Sequence, residues 1–356
     1  MKQKTLYYLA ATFFVLLILY FVTKPDLTTT NIDDIIQSII IGVSQDDVSN
    51  IEIYKESSDK KIEMKFSRAE DTWRIPTHFA AKAKKTDVER IIKDVLEMQG
   101  KVRATGENFF DQFKIRDEQG LHILLKDDTE KVLANIIVGK KGEDYGTCFV
   151  RFAGKEKIFS GDKNLLSSIK VYGDADTLSV FKQSSFVDLT AVDYQADELE
   201  TIAVLKGNQE LVVKKIEKEV EEEKSDADSA ATEPVMKKVN EWVIEKGSTQ
   251  IEIDQKEAEK FVNEVRKITA SKVVDRVGQT LGDLNKSAKY GFNKSRDGII
   301  YLKNGNNRVQ CVFGNEYEKD KGRYFQNGED GLVYEVTQAN IDKYFKWIEE
   351  LPKKTK

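Results

Sequence analysis

Histidine, cysteine and proline are all scarce in this chain of 356 residues, and each shortage argues against a class of protein. The only two histidines, His78 and His122, have no cysteine or histidine beside them at the spacing of zinc ligands, so we expect no zinc site. Four prolines are too few for a stiff proline-rich stalk. Basic residues are interleaved with acidic ones and the net charge is only −5, so nucleic acid is not an expected partner.

The two cysteines, Cys148 and Cys311, would be enough for one disulfide in an oxidising compartment. However, when the two similar halves of the chain described below are aligned, Cys148 falls opposite Arg323 and Cys311 opposite Ile136. The thiols therefore hold different positions in different halves. We expect two separate buried thiols and no bridge between them.

Sequence motifs of catalysis and cofactor binding are missing as well. Neither the GxSxG motif of nucleophilic serines nor the GxxxxGK[ST] motif of phosphate-binding loops occurs. Ser184-Ser185 has no legible histidine–acid pairing, and the stretch from Gly139 to Gly142 is typical of a polar hairpin turn. No acidic cluster has the spacing of a calcium loop. We predict no catalytic, cofactor-binding or metal-binding residues, and a protein that is not an enzyme.

What the sequence does contain is one long apolar run near its start. Leu6 to Val22 carries no charge, and its length is at the short end of what spans a bilayer. Lys2 and Lys4 precede it, and no small-residue cleavage site follows it, which favours an uncleaved anchor over a signal peptide. We expect residues 1–25 to be a cytoplasmic tip and transmembrane anchor in a bacterial inner membrane, with the rest of the chain outside the cytoplasm.

Most of the remaining chain shows the pattern of an internal sequence repeat. Trp73 recurs as Trp242, and further along the chain a set of strand residues recurs at a constant, slightly larger offset of 175. The matched strand pairs are Val138-Gly139 with Phe313-Gly314, Phe149-Val150 with Tyr324-Phe325, and Ile158-Phe159 with Val333-Tyr334. The matches are apolar or glycine and include almost no polar residue. The pattern predicts two similar cores in series, with no active site shared by both copies.

The periodicity of each copy predicts a strand pair, a tryptophan strand, a helix, four strands and a closing helix. The expected fold class is α+β: an N-terminal single transmembrane helix followed by two tandem repeats of mostly antiparallel sheet with packed helices. The first helix is expected from Thr86 to about Gln99. Asp254, like Asp87, stands where a helix should begin and is typical of a cap or first turn.

The expected domains follow from the repeat. We place the first repeat at residues 48–190 and the second at residues 199–351, with residues 26–47 as a membrane-proximal segment. Within that segment, an isoleucine stripe from Asn31 to Val43 predicts a helix on the membrane surface, on a partner or on the first domain. Residues 217–240 are predicted to be a disordered acidic insert in the second repeat.

The three tryptophans each allow a structural and a functional interpretation. Because Trp73 recurs as Trp242, we expect both to be core residues and not to line a ligand groove. Trp347 lies on the closing helix with Tyr344 and Phe345, where its face either seals the second repeat or docks a partner, and we favour sealing.

The order of these features resembles a known family. Its elements are Trp73-Arg74-Ile75-Pro76, a helix near Asp87, the strand end Ile137-Val138-Gly139-Lys140, a turn with Tyr145, and Ile158-Phe159. The resemblance, over Val48 to Leu351, is to an uncharacterised bacterial family of membrane-anchored proteins with an internal duplication. Members are often encoded beside, or fused to, gliding-motility-type auxiliary ABC transporter components. Glu245 stands where the pattern of the first copy has Pro76, and the acidic insert is a second departure.

The resemblance implies an envelope location and no catalytic residues. We therefore expect a single-pass envelope protein that acts as an interaction scaffold or accessory subunit, with ABC transporter subunits or another envelope protein as partner. The alternative is an extracytoplasmic ligand-binding protein that holds a glycan or small envelope solute in a cleft between the two repeats.

Overall fold

The structure is a computed structural model, and it describes residues 12–13, 37–56, 61–221, 236–278, 281–305 and 307–354. The first half of the chain forms one mostly antiparallel sheet. Its strands are β1 (Gln37–Ser38), β2 (Asn50–Lys55), β3 (Ile62–Ala69), β4 (Thr72–Ile75), β5 (Ala81–Lys82), β6 (Gln99–Thr105), β7 (Leu121–Lys126), β8 (Val132–Lys141), β9 (Cys148–Phe152) and β10 (Lys157–Gly161). They lie in the order β1-β6-β10-β9-β8-β7-β2-β3-β4-β5.

The second half forms another sheet and a separate strand pair. Its strands are β11 (Thr190–Asp193), β12 (Leu199–Lys206), β13 (Gln209–Glu221), β14 (Met236–Lys246), β15 (Thr249–Glu252), β16 (Lys267–Thr269), β17 (Lys272–Arg276), β18 (Gly298–Lys303), β19 (Asn307–Glu318), β20 (Gly322–Gln326) and β21 (Leu332–Thr337). Strands β11 and β16 pair with each other, and the others lie in the order β15-β14-β13-β12-β18-β19-β20-β21-β17.

Short helices connect and cover the strands. They are α1 (Lys85–Leu96), α2 (Phe110–Phe113), α3 (Leu165–Ser168), α4 (Gln255–Val265), α5 (Leu281–Tyr290), α6 (Gln338–Phe345) and α7 (Trp347–Glu350). Single 3₁₀ turns occur at Gln45–Asp47, Glu107–Phe109, Ala175–Thr177, Gln183–Phe186 and Leu351–Lys354. By contacts between residues the described residues divide into two units, one within residues 1–48, 53–61 and 91–179, the other within residues 49–52, 62–90 and 180–356.

The two sheets have the same strand order. From β5 the first sheet runs β4-β3-β2-β7-β8-β9-β10-β6, and from β15 the second runs β14-β13-β12-β18-β19-β20-β21-β17. The pairing register also corresponds: Val150 lies opposite Val138 and Phe159, and its counterpart in the repeat, Phe325, lies opposite Phe313 and Tyr334. The residues matched by the sequence offset thus hold corresponding places in the two sheets.

The two longer helices with an apolar face are where the sequence predicts them. In α1 every third or fourth residue is apolar and fully buried, and α4 repeats the pattern. These residues are Val88, Ile91, Ile92 and Val95 in α1, and Ala258, Phe261, Val262 and Val265 in α4. Asp254 caps α4, because its carboxylate accepts hydrogen bonds from the backbone of Lys256 and Glu257. Helix α1 ends at Leu96, before the predicted Gln99, because Gln99 already belongs to strand β6.

All three tryptophans are core residues, as the favoured interpretations predict. Trp73, Trp242 and Trp347 are buried. The indole Nε1 of Trp347 donates to Glu264 Oε2 at 2.7 Å, and its ring meets Phe261 edge to face. The closing helix therefore seals the second sheet against α4.

The fold class expected from the sequence is wrong in one part, the N-terminal transmembrane helix. Within the described residues no helix has the length and apolar character needed to cross a membrane. The longest of the helices named above, α1, has 12 residues and carries a charged outer face. Of Leu6 to Val22 itself only Thr12 and Phe13 are described, and the rest of that segment lies outside the described residues.

Two other predicted segments are corrected. In Asn31 to Val43, residues 31–36 lie outside the described residues, and the rest is not helical because Gln37–Ser38 pairs with β6 as strand β1. In the acidic insert, residues 217–221 and 236–240 are strand, since β13 and β14 pair from Val212 to Glu221. Residues 222–235 lie outside the described residues.

Candidate functional sites

His122 lies on β7 and has a structural environment. Its ring stacks on Tyr54 at a centroid distance of 4.5 Å, and its Nε2 is 2.9 Å from the backbone oxygen of Asp117. Because a carbonyl oxygen only accepts, Nε2 carries the proton. The buried Nδ1 atom has no partner among the described residues. One imidazole alone makes no metal site, and no group of three potential ligand residues occurs in the described part of the chain.

His78 lies in the turn between β4 and β5, and it belongs to the other unit. Burial, together with the nearby charge of Lys272, lowers the pKa of its imidazole. The next two residues, Phe79 and Ala80, have φ values of 58° and 50°, a conformation that costs energy for residues with a side chain. Arg276 stabilises this turn by donating to the backbone oxygen of each.

Both cysteines are buried free thiols, which confirms the prediction from the sequence. Cys148 Sγ donates to the backbone oxygen of Lys163, and Cys311 Sγ to that of Asn327. Burial raises the pKa of the Cys148 thiol to about 12 and that of Cys311 still further, so neither is a reactive thiolate near neutral pH.

One end of the first unit carries two strongly exposed tyrosines. Tyr145, in the turn between β8 and β9, is 98% exposed, and Tyr172, which follows α3, is 75% exposed. The backbone of both is held: Lys141 Nζ donates to the oxygen of Tyr172, and Asn164 Nδ2 to the oxygen of Tyr145. We call Tyr145, Tyr172 and these two donors the tyrosine end.

Each sheet also has a small second core, and the two second cores correspond. That of the first sheet contains Phe110, Phe113, Ile115, Ile137, Phe149 and Ile158. That of the second contains Val277, Tyr290, Phe292 and Val333, with Val274, Val312 and Tyr324 packed against it. The constant offset of the strands pairs Ile137, Phe149 and Ile158 with Val312, Tyr324 and Val333.

The helical turns that cover these cores correspond as well. In the first, Lys114 has φ 55° and the backbone of Ile115 donates to the oxygen of Phe110. In the second, Gly291 has φ 78° and Phe292 donates to the oxygen of Ser287. Ser287 therefore holds the place of Phe110.

In the first sheet this place is filled. Arg151 is 3% exposed, and its guanidinium lies 4.4 Å from the ring centre of Phe110. Its Nε donates to the oxygen of Ile115 at 2.7 Å, and its other nitrogens donate to the Asp117 carboxylate and the Phe152 oxygen. The charge is thus both paired and hydrogen-bonded, as a buried charge must be.

In the second sheet the corresponding place is a groove. Gln326 replaces Arg151, Ser287 replaces Phe110, and a cavity of about 540 Å³ opens between them. We call this the β19–β20 groove. It is lined by Ser287, Phe292, Asn293, Asn307, Arg308, Val309, Gln310, Val312, Gln326, Gly328 and Glu329. This groove was not predicted from the sequence, although Gln326 and Arg151 are related by the same offset of 175 that identified the strands.

The geometry thus defines an α+β protein with two sheets of the same strand order, an exposed aromatic end and a polar groove. A family model described as a domain of unknown function, DUF4340, matches residues 73–285, more than half of the chain. The chain belongs to this family, so the predicted resemblance is confirmed as far as membership of a family of unknown function. Neither a curated protein nor a solved structure matches the chain.

Proposed function

We propose that the chain is a non-enzymatic interaction protein of the cell envelope, an accessory subunit of an ABC-type transport or gliding-motility-like complex. The observation that carries the proposal is the tyrosine end of the first unit. The resemblance described above supports the class of partner. Cell fractionation tests the envelope location, which a purely cytoplasmic distribution of the chain would contradict.

The tyrosine end suits a protein partner for physical reasons. A tyrosine ring buries a large area on binding, and its hydroxyl remains able to make a hydrogen bond. Tyrosine is among the residues enriched in interface hot spots. Because Lys141 and Asn164 hold the backbones of Tyr172 and Tyr145, less conformational entropy is lost on binding than from a free loop.

Co-purification with the ABC permease and ATPase subunits of the same cell tests the proposal. We expect the full chain to retain a permease subunit, and Tyr145→Ala/Tyr172→Ala to reduce its recovery at least about tenfold, as a loss of about 1.4 kcal/mol would. The matched control is Met236→Ala, which removes another exposed apolar side chain from the second unit. Equal recovery with all three proteins would contradict the role of the tyrosine end, and no recovery would contradict the partner.

We also propose that the two sheets arose by internal duplication. The common strand order, the constant offset of 175 and the corresponding second cores support this origin. A duplication explains why polar residues differ between copies, since each copy is free to change outside its core. Structures of shorter family members test it: a member with one such sheet would support the proposal, and members whose two sheets differ in strand order would count against it.

The second candidate function is ligand binding. The β19–β20 groove favours it, because its volume of about 540 Å³ lies within the range of small-molecule sites, about 300–1,000 Å³. This candidate places the ligand on one sheet. Its test follows from the chemistry of the groove.

A further inference from the structure

The β19–β20 groove lies at the place on the second sheet that corresponds to a filled place on the first sheet. Arg151 and Phe110 occupy the first copy's place, whereas Ser287 is much smaller than Phe110 and Gln326 is shorter than Arg151. Asn135 and Ile137 of the first sheet correspond to Gln310 and Val312, so the floor of the place is otherwise similar. The replacements at these two positions thus contribute to the space in the second sheet.

Most polar side chains of the groove have no protein partner among the described residues. Ser287, Asn293, Gln310, Gln326 and Arg308 line it, and none has a side-chain hydrogen bond or ion pair within the described part of the chain. Amides elsewhere in the second unit differ, since Asn327, for example, donates to Ala191 and accepts from Glu329. A hydroxyl, three amides and a guanidinium therefore converge on one concavity with their hydrogen-bonding capacity unused.

The charged side chains that line the groove are Arg308 and Glu329, and within the part of the chain that the structure describes only the charge of Arg308 is left without a counter-charge. Glu329 also lines it, but its carboxylate accepts from Tyr194 Oη at 2.8 Å and from Lys303 Nζ at 3.1 Å. Lys303 thus compensates the Glu329 charge, whereas that of Arg308 is uncompensated among the described residues. An arginine fork of this kind suits a carboxylate, which it binds through two parallel hydrogen bonds.

The surrounding strands argue against a peptide. Strands β19 and β20 are interior, each paired on both sides, so neither offers a free backbone edge to an added strand. The exposed lining is more polar than apolar and includes four side-chain amides, which disfavours a wholly apolar ligand. Amides donate and accept at adjacent atoms, which matches the neighbouring hydroxyl groups of a sugar.

We propose that the β19–β20 groove binds an acidic oligosaccharide, with Arg308 on a sugar carboxylate and Gln310, Gln326 and Asn293 on its hydroxyl groups. The proposal rests on the second candidate function and names its ligand class. It is independent of the tyrosine end.

The experiment is binding of the full chain to an array of uronic-acid oligosaccharides and their neutral counterparts, followed by calorimetry with a galacturonate trisaccharide. We expect the acidic sugars to bind and the neutral ones to bind at least about tenfold more weakly, a difference of about 1.4 kcal/mol. Ser287→Phe/Gln326→Arg installs the first copy's residues and should abolish binding. Arg308→Gln, at an exposed position, should reduce binding of the acidic sugar alone.

The controls separate the outcomes. Gln250→Ala removes an exposed amide of the second sheet outside the groove and should leave binding unchanged. Tyr145→Ala/Tyr172→Ala should also bind sugar normally, which separates this proposal from the protein interaction. The proposal is overturned if no acidic sugar binds, if neutral sugars bind equally, or if Arg308→Gln leaves the affinity unchanged. The last comparison stands even if the filled variant does not fold.

Discussion

In the first sheet Arg151 and Phe110 fill the place that Gln326 and Ser287 leave open in the second. The strands below the two places have the same order and register, and the covering turns make the same backbone hydrogen bonds. The two copies therefore agree in strand order, register and covering turns. They differ at positions where one copy packs a side chain and the other leaves it facing solvent. The comparison shows how a structural position in one copy becomes a candidate binding position in the other.

The two places should also differ in what they contribute to stability. The Arg151 guanidinium is buried against an aromatic ring and saturated with acceptors, so its removal leaves carbonyl oxygens without donors. Gln326 has no side-chain hydrogen bond among the described residues, so its replacement removes no specific contact. Exchange of residues between the copies is therefore expected to be asymmetric.

The largest loss of stability is expected from a double substitution in the first sheet. Phe110→Ser/Arg151→Gln gives the first copy the second copy's residues. It should cost about 3–5 kcal/mol of unfolding free energy, because a buried phenylalanine side chain is removed and the backbone oxygens of Ile115 and Phe152 lose their donor. Urea unfolding of the full chain measures the loss.

The reciprocal exchange is its matched control. Ser287→Phe/Gln326→Arg adds side chains to an open groove and should change the unfolding free energy by about 1 kcal/mol or less, as surface substitutions do. Equal losses in both directions would mean that the groove is as tightly packed as the filled place, which would refute the comparison.

The next largest loss of stability is expected at a feature that both copies share, a glycine packed against the covering helix. Gly139 and Gly314 pack against the ends of α2 and α5, and a Cβ at either position would collide with a backbone oxygen, that of Phe113 or that of Tyr290. Alanine at either glycine should therefore cost about 1–3 kcal/mol, the usual range for overpacking. Thermal unfolding of the two single variants should show similar losses. A loss at only one glycine would show that the covering turns are not equivalent.

The smallest effect tests a polar difference between the second cores. Tyr290 holds the place of Phe113, and its hydroxyl donates to Asp275 Oδ2 at 2.8 Å. Burial alone would raise the pKa of the Asp275 carboxyl, but hydrogen bonds from Tyr290, the Arg276 backbone and Lys286 together lower it. A carboxyl with a lowered pKa stabilises the fold above its ordinary value of 3.8, and that stability is lost as the pH falls below it.

Tyr290→Phe should therefore lower stability by about 1 kcal/mol at pH 7 and by less at pH 3, because one hydrogen bond to a carboxylate is removed. Urea unfolding at the two pH values measures the difference. Phe113 has no hydroxyl, so Phe113→Leu provides a matched loss without pH dependence. A Tyr290→Phe loss of the same size at both pH values would contradict the role given to Asp275.

Apolar periodicity predicted the parts of the fold that bury a continuous face. It identified the matched strands and the helices α1 and α4, whereas the buried tryptophans and thiols followed from the alignment of the two halves. It missed β6, because Lys101, Arg103 and Thr105 alternate with only half-buried neighbours and little apolar signal results. It also missed α5 and the short strands β16 and β17, because each strand buries only one residue and is too short for an alternation to show.

The candidate groove was harder to predict from sequence. Arg151 and Gln326 are related by the offset of 175, so a comparison of polar positions would have paired them. Phe110 and Ser287 do not obey that offset, and only the equivalent hydrogen bonds of their turns align them. Whether a cavity forms depends on the volumes of two side chains that are distant in sequence. The periodicity of apolar residues carries no information about those volumes.

Hydrogen–deuterium exchange of the full chain, with and without a galacturonate trisaccharide, tests the central claim most directly. We expect slower exchange on binding at residues 307–312 and 326–329, which contain most of the groove lining, and no change at residues 132–137 and 148–152, which carry the filled place of the first sheet. Protection of the first-sheet residues, or of both sets alike, would contradict the claim that this place is filled in the first copy and open in the second.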